Sequence, residues 1–298
     1  MNWFLGNSKY ALHGVTSTGR DGEEIDLLTA KKKPKVELPS GTLFTSFDYI
    51  AEQSPHQLKV MEKLPFRVIG KNIWLYRALG KIETEIVGPI TLNEQIELIN
   101  IFKNNKCDCV LIDGSIDRKS ICLTDKISEI VLVIGAAAGK LAEICTQTEI
   151  IKMYSMIKTK KVKEYEFITY KSNKIINTEI KSIYSNEDLI SNILENQPDW
   201  IYFPGMLTSN SWQKFKNNLK CFKGDIIFNH PINLNISLHE LEFLLRNNRV
   251  FVRLSFPVKT VAINSFSPNN DHIDVNVLKE KISQIFNNLK IIDVRGIL

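Results

Sequence analysis

Three positions in this sequence could do chemistry: an aspartate closing a short apolar run, a lysine beside a glycine, and a loop crowded with charge. The run Val110, Leu111, Ile112 leads into Asp113 and Gly114. An acidic residue at the carboxyl end of a parallel strand is placed to hold the water shell of a magnesium ion; the same residues also make an ordinary turn. IVLVIGAAAGKL, 130–141, has the outline of a strand entering a phosphate-binding loop. Such a loop needs G-x-x-x-x-G-K-[ST], so that backbone N–H groups wrap the phosphate, the lysine reaches the terminal phosphates and the hydroxyl ligates magnesium. Here three residues separate Gly135 from Gly139, and Leu141 follows Lys140. The loop is one residue short and lacks its hydroxyl, so the stretch reads as a buried strand, a small-residue turn and a helix start. The third position is GRDGEEIDLL, which follows the strand-like VTST and carries Arg20, Asp21, Glu23, Glu24 and Asp26. Polar loops at strand carboxyl ends are where α/β proteins put their chemistry.

Composition narrows the class. With 298 residues, 44% apolar and 24% charged, the chain can bury one large core or two of ordinary size. No apolar run approaches the ~20 residues of a bilayer span, and the amino terminus has no secretory pattern, so the expectation is a cytoplasmic protein without membrane contact. Five scattered cysteines, with no C-x-x-C pair, read as reduced thiols. The net charge of +5 is dispersed. KKKPK at 31–35 and KTKKVK at 158–163 lack the interleaved aromatics of a single-strand platform and read as solvated loops, not as nucleic-acid contacts.

The elements that must position these residues alternate between strand and helix. Residues 1–12 resemble the later turns of a helix with no N-cap signal before them. KVELPSGTLFTS reads as a hairpin-like piece, and FDYIAEQSPHQLKVMEKL as helical on either side of Pro55. FRVIGKNIWLYRAL and KIETEIVGP read as strands. TLNEQIELINIFKNN is an amphipathic helix with Ile96, Leu98, Ile99 and Phe102 in phase and Thr91 as N-cap. Strands at YEFITY, WIYFPG, KGDIIFNH, RVFVRLS and TVAINSFSP, with helices near 187–195, from 211, over 237–246 and from 275, continue the alternation. The expected architecture is α/β: a mostly parallel sheet flanked by helices, with a first domain over 1–150 and a second α/β unit over 165–298 that either stands alone or continues the same sheet.

Taken in order, VTSTGRDGEEID (15–26), PKVELPSGTLFTS (34–46), LYRALGKIETEIVGP (75–89), VLIDGSIDRKS (110–120) and TVAINSFSP (260–268) resemble the B subunit of lysine 5,6-aminomutase reactivase. The layout as a whole, with VLIDG and IVLVIG following the amphipathic helix, resembles that of the dethiobiotin-synthetase and MobB branch of P-loop NTPases, within which that family falls. The resemblance implies a P-loop-NTPase-like fold and a chaperone-like role. An ATP-dependent factor would reactivate an adenosylcobalamin-dependent aminomutase in amino-acid fermentation, together with a second reactivase subunit. It also implies ATP and magnesium as cofactors. Asp113 would be the catalytic residue, serving the magnesium, and Thr16, Ser17, Arg20, Asp21 and Arg118 would bind the nucleotide and its phosphates. The family's phosphate loop lies before the residues that match Met1 to Leu5, so the first strand and the loop fall outside this sequence, and the resemblance does not extend to hydrolysis by these residues alone. Two other readings share the layout: a non-catalytic docking subunit with a degenerate nucleotide site, and an ATP-dependent ligase of the dethiobiotin-synthetase type.

Overall fold

A computed structural model describes residues 1–21, 36–114, 124–264 and 273–294. It is mixed α/β with several sheets that contain parallel pairings, and none of the described sheets closes into a barrel. The chain forms two compact units, Met1–Lys126 and Ile127–Leu298. No described helix is long and apolar enough to cross a membrane.

The first unit contains α1 (Asn2–Asn7), β1 (His13–Ser17), β2 (Gly19–Asp21), β3 (Val36–Leu38), β4 (Leu43–Phe47), α2 (Tyr49–Gln53), β5 (Leu58–Val68), β6 (Lys71–Ala78), β7 (Ile82–Thr84), β8 (Ile86–Gly88), α3 (Leu92–Asn104) and β9 (Cys109–Asp113). Its main sheet has the order β5-β6-β4-β1-β9. β1 is parallel to both neighbours, whereas β6 joins β4 and β5 antiparallel. All five residues of β1 are buried, as a central strand covered on both faces requires. α3 covers one face with Gln95, Leu98, Ile99 and Phe102. Phe102 lies so close that a Cβ on Gly14 would come within 2.6 Å of its ring, so glycine there lets helix and strand meet. Met1 gives α1 no side-chain cap, in line with the missing N-cap signal.

Two local expectations fail for reasons of pairing. KVELPSGTLFTS is not a hairpin: β3 pairs with β7, and the turn at Gly41 (φ +89°) passes the chain to β4, which pairs with β1 and β6. The segment after Pro55 is the long strand β5, not a helix. Its ladder with β6 overrides local propensity, and Pro65 is accommodated at a register shift on this edge strand.

The second unit contains β10 (Ile130–Gly135), α4 (Leu141–Met156), β11 (Thr169–Lys171), β12 (Ile175–Asn177), α5 (Glu187–Glu195), β13 (Trp200–Phe203), β14 (Leu207–Thr208), α6 (Ser209–Cys221), β15 (Asp225–Phe228), β16 (Leu234–Asn235), α7 (Leu238–Asn247), β17 (Arg249–Val252), β18 (Val258–Asn264), α8 (Val275–Ile285) and β19 (Lys290–Asp293). One sheet is β10-β18-β19, all parallel; a second is β12-β11-β13-β15-β17, with its last three strands parallel; and β14 pairs with β16 in a third. Because β10 pairs with β18, the IVLVIG strand and its helix belong to this unit, not to a first domain ending at 150. α4 is fixed by Tyr154, whose hydroxyl donates to the Leu234 carbonyl and whose pKa burial pushes up to about 12.

Candidate functional site

In the first unit the chain leaves β1 for β4 on one side, while β9 lies on the other. That reversal makes the carboxyl ends of β1 and β9 a topological switch point, where open α/β sheets hold ligands. Ser17 stands opposite Asp113 in the parallel register. Beyond the strand, the Thr18 N–H donates to the Asp113 carbonyl at 2.8 Å. Of the residues expected to act together, Thr16, Ser17 and Asp113 are thus brought to one end of two adjacent strands.

The strand end is polar and closed. Thr16, Ser17 and Thr18 of β1 and its turn are buried, as are Thr45 and Ser46 of β4. Buried hydroxyls must be hydrogen-bonded to be tolerated. The Thr16 and Thr45 hydroxyls pair at 2.7 Å, and Ser46 donates to the Glu85 carbonyl at 2.9 Å. Thr16 therefore serves the internal bonding of the sheet and does not present its hydroxyl outward. Tyr49 donates its hydroxyl to the Glu85 carboxylate at 2.5 Å beside this layer.

Gln95 of α3 holds the same end from above. Its side-chain amide donates to the carbonyls of Ser17 at 2.9 Å and Pro89 at 2.5 Å. Gln95 lies on the apolar face in phase with Leu98, Ile99 and Phe102, and a polar residue on that stripe is the one sequence signal that marks it. β8 then crosses over β1 so closely that a Cβ on Gly88 would come within 1.9 Å of the Ser17 carbonyl oxygen and 2.3 Å of the Thr16 hydroxyl.

Arg20 and Asp21, expected in a loop, lie in β2, which pairs antiparallel with β8 in the register Arg20 to Val87 and Asp21 to Ile86. Arg118, together with Glu23, Glu24 and Asp26, lies outside the described residues. Cys107, two residues before β9, has its thiol pKa pushed up to about 11 by burial, so it stays protonated at neutral pH.

The GAAAGK stretch is closed to phosphate. β10 ends at Gly135, Ala136–Ala138 form a 3-10 turn, and Gly139 has φ +139°. The carboxylate of Glu143 then folds back over the first turn of α4 and accepts the Lys140 N–H at 3.0 Å. A helix N-terminus attracts anions through its free N–H groups and dipole, and here the chain's own carboxylate takes that place. β10 itself is less buried than an interior strand, with Val133 63% exposed.

Among the described residues no group of three or more His, Cys, Asp or Glu side chains is arranged to hold a metal ion. Magnesium at a nucleotide takes one or two carboxylates and draws its other oxygens from phosphate and water. Asp113 matches that donor set, whereas neither GAAAGK nor the β1 end offers a phosphate cradle. Among the described residues Asp113 is a single carboxylate at a strand end, with no phosphate cradle beside it. No family model, no curated protein and no solved structure matches the chain.

Proposed function

We propose that this chain is a cytoplasmic subunit of an ATP-dependent reactivating factor for an adenosylcobalamin-dependent aminomutase, lysine 5,6-aminomutase by the resemblance of its motifs. In this reading the first unit is a P-loop-NTPase-like domain, and Asp113 is its contact with nucleotide-bound magnesium. The observation that supports it best is the parallel register setting Ser17 against Asp113 at a switch point. β9 is also the outer strand of its sheet, and all five of its residues are partly exposed.

The activity is conformational work. Nucleotide favours a state of the factor that binds the mutase so as to release spent cobalamin, and it can do so only through different affinities for the two states. In this chain Gln95 and Gly88 keep the β1 end rigid while Asp113 faces the metal.

The test is ATP-stimulated recovery of inactivated aminomutase by the full chain with its partner subunit, comparing native protein with Asp113→Asn. Loss of stimulation with mutase binding retained is expected; full stimulation by the variant removes the metal role. One observation favours a docking subunit instead: Glu143 closes the helix that follows GAAAGK. Mutase binding that is equally tight with and without nucleotide would select that reading.

A further inference from the structure

We infer that the second unit carries a docking groove for an acidic polypeptide segment, running across the amino-terminal ends of β13, β15 and β17. The inference is independent of the aminomutase reading.

The groove is built by segments far apart in sequence. Residues 158–160 add to the edge of β17 at its carboxyl-terminal residue, where Lys160 N–H donates to the Val252 carbonyl at 2.8 Å and Val252 N–H donates to the Lys158 carbonyl at 3.0 Å, and the Lys160 side chain reaches back to Asp225 at the start of β15. Beyond that point Val162 and Tyr165 turn inward onto Trp200, Tyr202 and Ile227, while Lys161 and Lys163 are exposed. Lys171 at the end of β11 and Lys223 in the turn before β15 line the same groove.

Its charge exceeds what the fold needs. Six cationic side chains line it against the two carboxylates Asp199 and Asp225, a formal excess of four. α5, α6 and α7 each lead by a short turn into the starts of these strands, so three helix C-termini meet this edge. At about −0.5 charge each, their dipoles offset roughly 1.5 of that excess. More than two positive charges remain. Asp225, only 4% exposed, engages Lys160 and lies 2.8 Å from Arg249 Nε, so those two cations are held. Lys171 reaches Asp199 only at 4.0 Å, and both are exposed, so that pair is weak. Among the described residues no ion pair engages Lys161, Lys163 or Lys223.

The partner's chemistry follows from what the groove does and does not provide. Tyr165 is packed against Trp200 at 6.1 Å and edge-on to Tyr202 at 5.4 Å, so the ring faces that nucleic-acid bases would stack on are engaged within the protein. Helix C-termini, not N-termini, meet this edge, and a Cβ on Gly224 would lie 2.2 Å from the Pro198 carbonyl oxygen, which leaves no open glycine turn to seat a phosphate. Carboxylates, by contrast, already sit in the groove against its lysines. An open cationic channel with a partly apolar floor, including Ile175 at 52% exposure, suits a chain of alternating acidic and apolar residues.

The experiment titrates the full chain with a fluorescein-labelled peptide rich in glutamate and leucine, and with an oligothymidylate of equal charge, at one ionic strength. The variant is K161E/K163E/K223E. K59E/K63E/K103E in the first unit carries the same charge change on exposed lysines and is the control. The expected result is peptide binding that weakens roughly tenfold or more in the groove variant and not in the control. Equal weakening in both would mean general charge attraction, and tighter binding of the oligothymidylate would mean a nucleic-acid surface; either overturns the inference, as does no peptide binding. Circular dichroism checks folding, and K161Q/K163Q/K223Q replaces the reversal variant if that one unfolds.

Discussion

Gln95 of α3 donates through one side-chain nitrogen to two backbone carbonyls, Ser17 at the end of β1 and Pro89 just after β8. One buried amide thus ties a helix, a strand end and the segment that crosses it. Gln95→Leu keeps the volume and leaves both carbonyls without that donor. Leaving buried acceptors unpaired costs about 1–3 kcal/mol, and the side-chain Oε1, itself buried without a partner among the described residues, is relieved by the change. The expected outcome is a net loss of about 1–2 kcal/mol, read as faster amide hydrogen exchange in peptides covering β1 and β9. Unchanged exchange there would mean that Gln95 does not hold the strand end.

Gly88 shares that layer. A methyl group at Gly88 must displace the Ser17 carbonyl or the Thr16 hydroxyl, and neither is the loose end of a flexible side chain. Gly88→Ala is expected to destabilise the first unit by about 1–3 kcal/mol, the usual range for overpacking. Gly6, around which nothing lies within 4 Å, is the comparison site. Urea unfolding followed by hydrogen exchange in peptides of the first unit should move its midpoint down for Gly88→Ala and much less for Gly6→Ala.

What could be read in the sequence depended on how local each determinant is. α3 and α7 were legible because Thr91 and Ser237 accept the N–H of the residue three positions on, and the apolar residues that follow keep helical spacing. β9 and Asp113 were legible because the apolar run and the aspartate are adjacent. β5 was not, since only its pairing with β6 makes LKVMEKLPFRV a strand. The position of Arg20 and Asp21 in β2 was hidden for the same reason, because β8 is far along the chain. The basic groove was least visible: Lys163, Lys171, Lys223 and Arg249 come from separate segments, and KTKKVK alone looks like a solvated run.

His13 opens β1 and is buried, and burial lowers its pKa, with Asp108 opposing the shift through its charge. The folded state therefore binds this proton less readily than the unfolded chain. The stability it contributes is complete above the ordinary histidine value near 6.5 and is lost as pH falls through the lowered folded value. His13→Phe is expected to remove that part of the acid-side loss. Urea midpoints of the first unit at mildly alkaline and mildly acidic pH check it: the native protein should lose more between the two than the variant, and parallel losses would exclude His13.

Glu240 in the second unit titrates with the same sign in a lower window. Burial would raise its pKa, but Ser209, Ser237 and Gln213 donate to its carboxylate, Ser209 at 2.6 Å, and together hold it below the ordinary value. The resulting stability is present above the ordinary glutamate range and is lost as pH falls through the lowered value. Glu240→Gln should cost about 1–3 kcal/mol at neutral pH, the scale of hydrogen bonds to a charged group. It should also flatten the acid limb of the second unit's thermal stability. A variant as stable as the native protein at neutral pH would remove the carboxylate from this role.

The β5–β6 turn offers a change in the opposite direction. Val68 pairs with Lys71, so Ile69 and Gly70 form a two-residue connection, and both have positive φ, +50° and +73°. That geometry matches the right-handed twist of the flanking strands and favours Asn-Gly. Isoleucine, branched at Cβ, pays about 1–2 kcal/mol to enter the left-handed region, and Ile69 is 76% exposed, so packing returns little. Ile69→Asn is therefore expected to stabilise the first unit by about 1 kcal/mol and to raise its urea midpoint without changing the slope. Gly70→Ala, which adds a side chain at the other positive φ, should lower it. A lowered midpoint with Ile69→Asn would mean that isoleucine does not strain this turn.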